Sequence, residues 1–285
     1  VTDAGDDLRA AVRAATIRLA EAGVPSPEAD AVALAAHLMK VSVADVRKAM
    51  VLGAAAPAAY ERLVAERAAR VPLQHLTGRA GFRGLELKVG PGVFVPRPET
   101  EFVAGLAIEA ALALEAPIVV DLCTGSGAIA LAVADEVPAA TVYAVELGRD
   151  AHAWAERNVA DTGLAVRLRQ GDATDAFPEL DGTVDIVASN PPYIPLGMVP
   201  LDPEVRDHDP ELALYGGSED GLAIPLAVAR RAAQLLHAGG LLVMEHADSQ
   251  GVSLPRALER TGEWVDITDH DDLTGRPRAT TARRA

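Results

Sequence analysis

Apolar positions change their period twice along the chain. In roughly the first 75 residues the spacing is helical: Leu8, Val12, Ala15 and Leu19 recur on one face, and Gly23-Val24-Pro25 stops the run. Ser26 followed by Pro27 predicts the N-cap and first turn of a second helix through Met39. Short helices are expected over Val43–Val51 and Pro57–Arg70, with Gly53 between them. The result is a small bundle of four or five helices. Its many alanines favour helix by propensity but give a thin core.

From Gly78 to Pro98 the texture changes. Gly78, Gly81, Gly84, Gly90, Pro91, Gly92, Pro96 and Pro98 punctuate short β-like pieces around Leu85–Val89 and Val93–Val95. This predicts a hairpin-containing connector. Helical spacing resumes from Glu99 through Val103, Leu106 and Ile108. After Pro117 strands and helices alternate. Strands are expected at Ile118–Leu122, Thr141–Val145, Val166–Arg169, Val184–Ser189 and Leu241–Glu245, with late ones near Trp264–Thr268 and Ala279–Arg283. Helices are expected over Ala128–Val137, Asp150–Asp161, Gly221–Leu236 and Leu254–Arg260. Such alternation predicts an α/β fold, a mostly parallel sheet with helices on both faces. The chain therefore divides into a helical part at 1–77, a connector at 78–98 and a sheet domain at 99–285.

Charge sharpens that division. The whole chain carries 26 Lys and Arg against 41 Asp and Glu, a formal charge of −15. Residues 1–80 are nearly neutral at +1, and residues 81–285 carry −16. An acidic sheet domain argues against non-specific adhesion to nucleic acid or anionic membrane. The acidic start Val1–Asp7 lacks a basic leader region, and no long charge-free apolar run occurs, so a cytoplasmic protein without a membrane segment is expected. The single cysteine, Cys123, excludes an internal disulfide and a multi-cysteine zinc site, and it fits a reducing compartment. No metal is expected: His75, His152 and His246 have no ligand spacing, and His208 and His270 lie in acidic loops.

In a sheet of this kind ligands bind beyond the carboxyl ends of the strands. Asp121-Leu-Cys-Thr-Gly-Ser-Gly127 follows the first strand and opens a helix. Gly125 and Gly127 permit a tight turn and close approach of a ligand to bare backbone. Glu146 ends the next strand, where a carboxylate can accept both hydroxyls of a ribose. A dinucleotide, a nucleoside-bearing methyl donor and a purely structural turn all remain open. Asp121 favours the methyl donor, because a carboxylate there suits an ammonium group and is awkward beside a pyrophosphate. Asp172, after the third strand, reads either as a partner for an adenine amine or as a turn cap.

The sharpest feature is Asn190-Pro-Pro-Tyr193 after the fourth strand. Two prolines stiffen the backbone and remove two N–H donors, leaving an acceptor-rich corner. The Asn190 side-chain oxygen and the Pro191 carbonyl can accept both hydrogens of a planar –NH₂. Tyr193 offers a flat face to the same group. That grip suits methylation of a planar nitrogen by orientation and electrostatics.

These segments, with Gln74-His-Leu-Thr-Gly78, Phe94-Val-Pro-Arg-Pro-Glu-Thr-Glu101 and Gly240-Leu-Leu-Val-Met-Glu245, resemble the release factor glutamine methyltransferase family. That family is a branch of the class I S-adenosylmethionine-dependent methyltransferases, and the likeness spans nearly the whole chain. It implies a Rossmann-like sheet, S-adenosyl-L-methionine as cofactor and S-adenosyl-L-homocysteine as product. The implied substrate is the Gly-Gly-Gln glutamine of peptide chain release factors, methylated at N5, with the helical part helping to dock the partner. By position, Asp121 and the stretch Cys123, Thr124, Gly125, Ser126 and Gly127 would line the methionine part, and Glu146 would hold the ribose. Asp172 and Ala173 would lie near the adenine, and Asn190, Pro191, Pro192 and Tyr193 would hold the glutamine amide. Phe94 and Arg97 would wall the pocket, with Arg97 and Glu101 fixing that wall. Cys123 stands where relatives usually have glycine, which requires a backbone conformation open to a side chain. A ribosomal-protein glutamine methylase, a nucleic-acid amino-methyltransferase and a non-catalytic module on the same fold are the alternatives. A monomer is expected.

Overall fold

A computed structural model describes residues 7–285; residues 1–6, at the head of the predicted helical part, lie outside the described residues. The chain forms two compact units. Residues up to Arg79, together with Pro200–His208, form the first, and Ala80–Val199 with Asp209–Ala285 form the second. The segment Pro200–His208, which the sequence division leaves inside the sheet domain, thus groups with the helices.

The first unit contains α1 (Leu8–Glu21), α2 (Pro27–Met39), α3 (Val43–Val51), α4 (Tyr60–Ala68) and α5 (Leu73–Thr77). Leu8, Val12, Ala15 and Leu19 are all buried, as their spacing predicts, in one cluster with Ala31, Leu34 and Ala35 of α2 and Leu63 and Val64 of α4. The Tyr60 hydroxyl donates to the Ala31 carbonyl at 2.8 Å, which anchors the start of α4 on α2. Ser26 sits at the N-cap of α2 without a side-chain cap bond, so the first turn rests on Pro27. The helix expected over Pro57–Arg70 begins only at Tyr60, because Pro57 opens a turn closed by its carbonyl and the Tyr60 N–H. The five-residue α5 has no spacing signal of its own.

Ion pairs run through this unit. Arg67 is buried, and its Nε donates to Asp30 Oδ2 at 2.7 Å. Its Nη1 lies 2.8 Å from Glu204 Oε1, and Arg70 Nε donates to the same oxygen at 2.8 Å.

The second unit opens with the hairpin β1 (Arg79–Phe82) and β2 (Leu85–Lys88). The β-like piece at Val93–Val95 forms no strand; Val93 and Val95 are instead buried in irregular chain. Next come α6 (Pro98–Leu112), β3 (Ile118–Leu122), α7 (Ala128–Glu136), β4 (Thr141–Glu146), α8 (Arg149–Thr162), β5 (Val166–Gln170) and β6 (Val184–Ser189). After α9 (Pro203–His208), which groups with the first unit, the sheet resumes. It continues through α10 (Ala223–Leu235), β7 (Leu236–Glu245), α11 (Ser253–Glu259), β8 (Trp264–Asp271) and β9 (Pro277–Arg284). The seven strands lie in the order β5-β4-β3-β6-β7-β9-β8. The first five pair in parallel, and β9 runs antiparallel between β7 and β8. Strand β7 starts five residues earlier than its apolar run, since Leu236 pairs with Val184 before a register shift brings Ile186 opposite Leu241.

Side chains alternate between the two faces. Val119, Ile186 and Val243 point into a cluster with α6 and α7, and Val120, Val187 and Leu242 into one with α10 and α11. Burial on both faces is why these strands read as continuous apolar runs. The strand order reverses between β3 and β6, so the ends of β3, β4 and β6 meet where such sheets take ligands. Among the described residues no helix is long and apolar enough to cross a membrane.

Candidate active site

Asp121 lies at the end of β3 and is buried. Its Oδ2 accepts from the Thr124 hydroxyl at 2.5 Å and from the Ala130 N–H at 3.1 Å. Oδ1 has no hydrogen-bond partner among the described residues. Burial, aided by the nearby Glu146 charge, pushes the carboxyl up to about 7. A buried acceptor without a donor is costly unless a ligand supplies one. The site thus fits an ammonium-bearing ligand.

The turn that follows is held from several sides. Gly125 has φ +59°, and a Cβ built there would meet nothing within 4 Å, so the turn is open on its ligand side. Gly127, at φ +88°, starts α7. Glu146 Oε2 accepts the Gly125 N–H at 2.8 Å, and Oε1 accepts the Gly148 N–H at 2.7 Å. Both oxygens of the expected ribose acceptor already bind backbone, and each keeps a second lone pair for a hydroxyl. Burial raises the Glu146 pKa against those bonds. Asn158 of α8 donates to the Ser126 carbonyl at 2.9 Å and brackets Lys88, accepting from its N–H at 2.7 Å and donating to its carbonyl at 3.0 Å. One side chain therefore ties the turn to β2.

Cys123 differs from expectation. It has φ +68°, a conformation that favours glycine, and not one open to side chains. Its thiol packs against the sheet core, and burial pushes its pKa up, with Glu146 and Asp121 adding to the rise. Asp172 Oδ1 accepts from both the N–H and the hydroxyl of Thr174, at 2.8 and 2.7 Å. The turn-cap reading of Asp172 is thus realised through one oxygen, and Oδ2 lies outside that turn. Ala173 is buried in the sheet core.

At the end of β6, Asn190 Nδ2 donates to Thr100 Oγ1 at 3.2 Å. Thr100 is buried in the first turn of α6, which Pro98 begins. Pro191 and Pro192 are buried. The Tyr193 hydroxyl donates to Glu245 Oε1 at 3.3 Å, and its carbonyl accepts from Gln250 Nε2 at 3.0 Å. Glu245 is buried at the end of β7, and Oε2 has no hydrogen-bond partner among the described residues. Burial pushes Glu245 up to about 7, while Thr100, Arg278 and Tyr193 pull the other way. Burial and the Glu245 charge also raise the Tyr193 phenol. Beyond the corner, Ile194 N–H donates to the Leu214 carbonyl at 2.7 Å, which straps the loop.

The Arg97 guanidinium lies 5.0 Å from the centre of the Phe94 ring, a cation–π contact. It also donates to Asp209 Oδ2 at 2.7 Å. Glu101 contributes differently from expectation: its carbonyl, not its carboxylate, accepts a bond from Arg83 Nη1 at 3.1 Å. Sequence reasoning missed Thr100, Asn158 and Asp209 as parts of this arrangement. Nothing in local spacing shows that Thr100 would meet a residue 90 positions away. Among the described residues no group of three or more His, Cys, Asp or Glu side chains could hold a metal ion.

Comparison with known proteins gives the relationship. Residues 10–78 match the PrmC N-terminal domain family, and residues 119–196 match a methyltransferase domain family. The chain is 56% identical over 281 residues to the release factor glutamine methyltransferase of Streptomyces coelicolor, covering 98% of each chain. It is 44% identical over 271 residues to a 4-amino-L-phenylalanine/4-methylamino-L-phenylalanine methyltransferase of Streptomyces pristinaespiralis, covering 93% of this chain and 91% of that one. Among solved structures, the T. thermophilus 16S rRNA N2 G1207 methyltransferase, in complex with AdoMet and guanosine, superposes with a TM-score of 0.52 at 21% identity. That match covers 73% of this chain and 50% of the other, and it speaks for the class I methyltransferase fold alone.

Proposed function

The chain belongs to the release factor glutamine methyltransferase family, and we propose that it methylates N5 of the Gly-Gly-Gln glutamine in peptide chain release factors. The methyl comes from S-adenosyl-L-methionine, and S-adenosyl-L-homocysteine is released. When bound, the cofactor supplies an electrophilic methyl on a sulfonium. Asp121 Oδ1 would take its ammonium, the turn from Cys123 through Gly127 would line its methionine part, and Glu146 would take its ribose hydroxyls. Asp172 and Ala173 would stand on the adenine side.

The acceptor nitrogen is held by the corner after β6. An amide nitrogen is a poor nucleophile because its lone pair is delocalised into the carbonyl. Asn190 Oδ1 and the Pro191 carbonyl accept its two hydrogens, which adds electron density and fixes its plane. Pro192, Tyr193, Phe94 and Arg97 surround the rest of the glutamine side chain. The nitrogen sheds one proton once its bond to carbon has formed. An N-alkylated amide cation is strongly acidic, so a neutral acceptor and water suffice. The protein acts as a monomer on a protein partner, and the −16 charge of residues 81–285 disfavours a nucleic-acid duplex.

The observation that carries this reading is the Asn190 amide, whose nitrogen is engaged by Thr100 beside two prolines that offer carbonyls and no N–H. The test is transfer of labelled methyl to four acceptors in parallel: a release factor, ribosomal protein, free 4-amino-L-phenylalanine and duplex DNA. Label mapped to the Gly-Gly-Gln glutamine is the expected result. Label on the arylamine, the ribosomal protein or DNA alone overturns it. In the same assay Asn190→Ala should bind the cofactor near wild-type strength and lose about 100- to 1,000-fold in rate.

A further inference from the structure

The geometry points to Gln250 as a positioning residue for methyl transfer: its buried side-chain amide fixes the Tyr193 carbonyl and so sets where the Asn190–Tyr193 corner stands. This role rests on the reading of that corner as the seat of the substrate amide. Pro191 and Pro192 have no N–H, so the corner cannot tie itself down by donating. It must be held by donors brought to its carbonyls and by the chain that leaves it.

Gln250 supplies those donors. It is buried in the short helical turn Asp248–Gln250 that follows β7. Its Nε2 donates to the Tyr193 carbonyl at 3.0 Å and to the Asp220 carbonyl at 2.9 Å. Its Oε1 accepts the Ala247 N–H at 3.0 Å. A carbonyl can only accept and a backbone N–H can only donate, so this amide has one orientation and both its hydrogens are used. One side chain thereby joins the corner, the loop before α10 and the chain leaving β7. Tyr193 is held at both ends, because its hydroxyl donates to Glu245 Oε1 at 3.3 Å at the end of the same strand.

The loop before α10 is shaped for this close approach. Gly221 has φ +73°, and a Cβ there would collide with the Tyr193 carbonyl oxygen and stand 2.9 Å from Gln250 Nε2. A Cβ at Gly216 would collide with the Gly221 carbonyl. Only glycine lets the two backbones lie together here. The Ile194 and Leu196 N–H groups donate to the Leu214 and Ser218 carbonyls at 2.7 and 2.8 Å, and the Gly216 N–H donates back to the Ile194 carbonyl at 2.9 Å. The exit from the corner is thus paired with residues 214–218, and Gln250 pins that pair to the sheet. Removing its amide takes a partner from two carbonyls and one N–H at once.

The experiment measures methyl transfer to an intact release factor by the full chain and by Gln250→Leu, Gln250→Glu, Gly221→Ala and Asp185→Ala. Gln250→Leu removes the amide, and Gln250→Glu keeps its size and an acceptor for Ala247 while losing the two donors. Gly221→Ala keeps every hydrogen-bonding group and crowds the same carbonyl. Asp185→Ala is the stability control, since Asp185 accepts the Ile118 N–H at 2.7 Å where β3 and β6 begin, the sheet edge away from the corner. The first three should each lower kcat by about 10- to 100-fold, the range carried by groups that orient active ones. KM for the release factor and the cofactor dissociation constant should move less than about threefold, the mark of lost alignment rather than lost binding. Asp185→Ala should lower Tm and keep kcat. Wild-type kcat in any of the first three that binds cofactor overturns the inference alone. So does a loss of cofactor affinity as large as the loss of kcat, or an equal loss of kcat in Asp185→Ala. A wild-type enzyme that labels no Gly-Gly-Gln glutamine overturns the functional reading beneath it.

Discussion

The carboxylate of Glu146 reaches across 21 positions to accept the N–H of Gly125 at 2.8 Å, so the acid proposed to hold the ribose also shapes the glycine turn. The other oxygen binds the Gly148 N–H. Glu146→Ala should therefore cost more cofactor affinity than loss of ribose contacts alone. A loss of about 2–4 kcal/mol follows from one charged hydrogen-bonding group and a loosened turn. Titration calorimetry of the cofactor checks the affinity, and amide exchange at Gly125 checks the loosening.

Asp121 stores a cost that a ligand can relieve. Its pKa is raised from 3.8 in the unfolded reference to about 7 by burial. The folded state thus holds the proton more tightly, and the ligand-free protein should lose stability as pH rises from about 4 through 7. Asp121→Asn should raise the Tm of the ligand-free protein at pH 8 by about 2–4 °C, the shift made by ~1 kcal/mol in a chain of this size. The same change should weaken cofactor binding. A variant with unchanged Tm and unchanged affinity would contradict the unpaired Oδ1 as the ligand's partner.

The Cys123 thiol should be inert despite standing at the cofactor turn. Burial and two neighbouring carboxylates hold its pKa well above the ordinary thiol range, so almost no thiolate exists at pH 8. Reaction with a disulfide reagent should run at least tenfold slower than with free cysteine. Unfolding in denaturant should restore one fast thiol.

Arg67 joins Asp30 and Glu204 within the helical unit. Arg67→Ala leaves buried Asp30 without its cation and Glu204 with Arg70 alone, and it should destabilise the protein by about 3 kcal/mol, read by urea unfolding.

Glu204 should govern part of the response to acid. Burial pushes its carboxyl up, but the hydrogen bonds from Arg70 and Arg67 outweigh this and hold it well below its ordinary 4.5. Its contribution is complete above the unfolded value and is lost as pH falls through the folded one. Glu204→Gln should flatten the fall of Tm between pH 5 and pH 3.

What the sequence determined by itself were features that local physics encodes. Periods of 3.6 and near-continuous apolar runs located the helices and the central strands, with β3 and β6 at their observed ends. Glycines, prolines and acids put Asp121, Glu146 and Asn190 at strand ends, where the structure has them, because tight turns there demand special residues. Where local physics is silent, reading failed: Val93–Val95 is apolar enough for a strand, yet it is buried without strand pairing. Cys123, at a position usually held by glycine, was expected in a conformation open to a side chain, yet it keeps the one that favours glycine. Only the tertiary structure decided that Thr100 meets Asn190, that Asn158 ties Ser126 to Lys88, and that Glu204 joins Arg67. Each of these is a pairing of polar groups far apart in the chain. Their partners are chosen by what packing leaves without water, and no spacing along the chain records that choice.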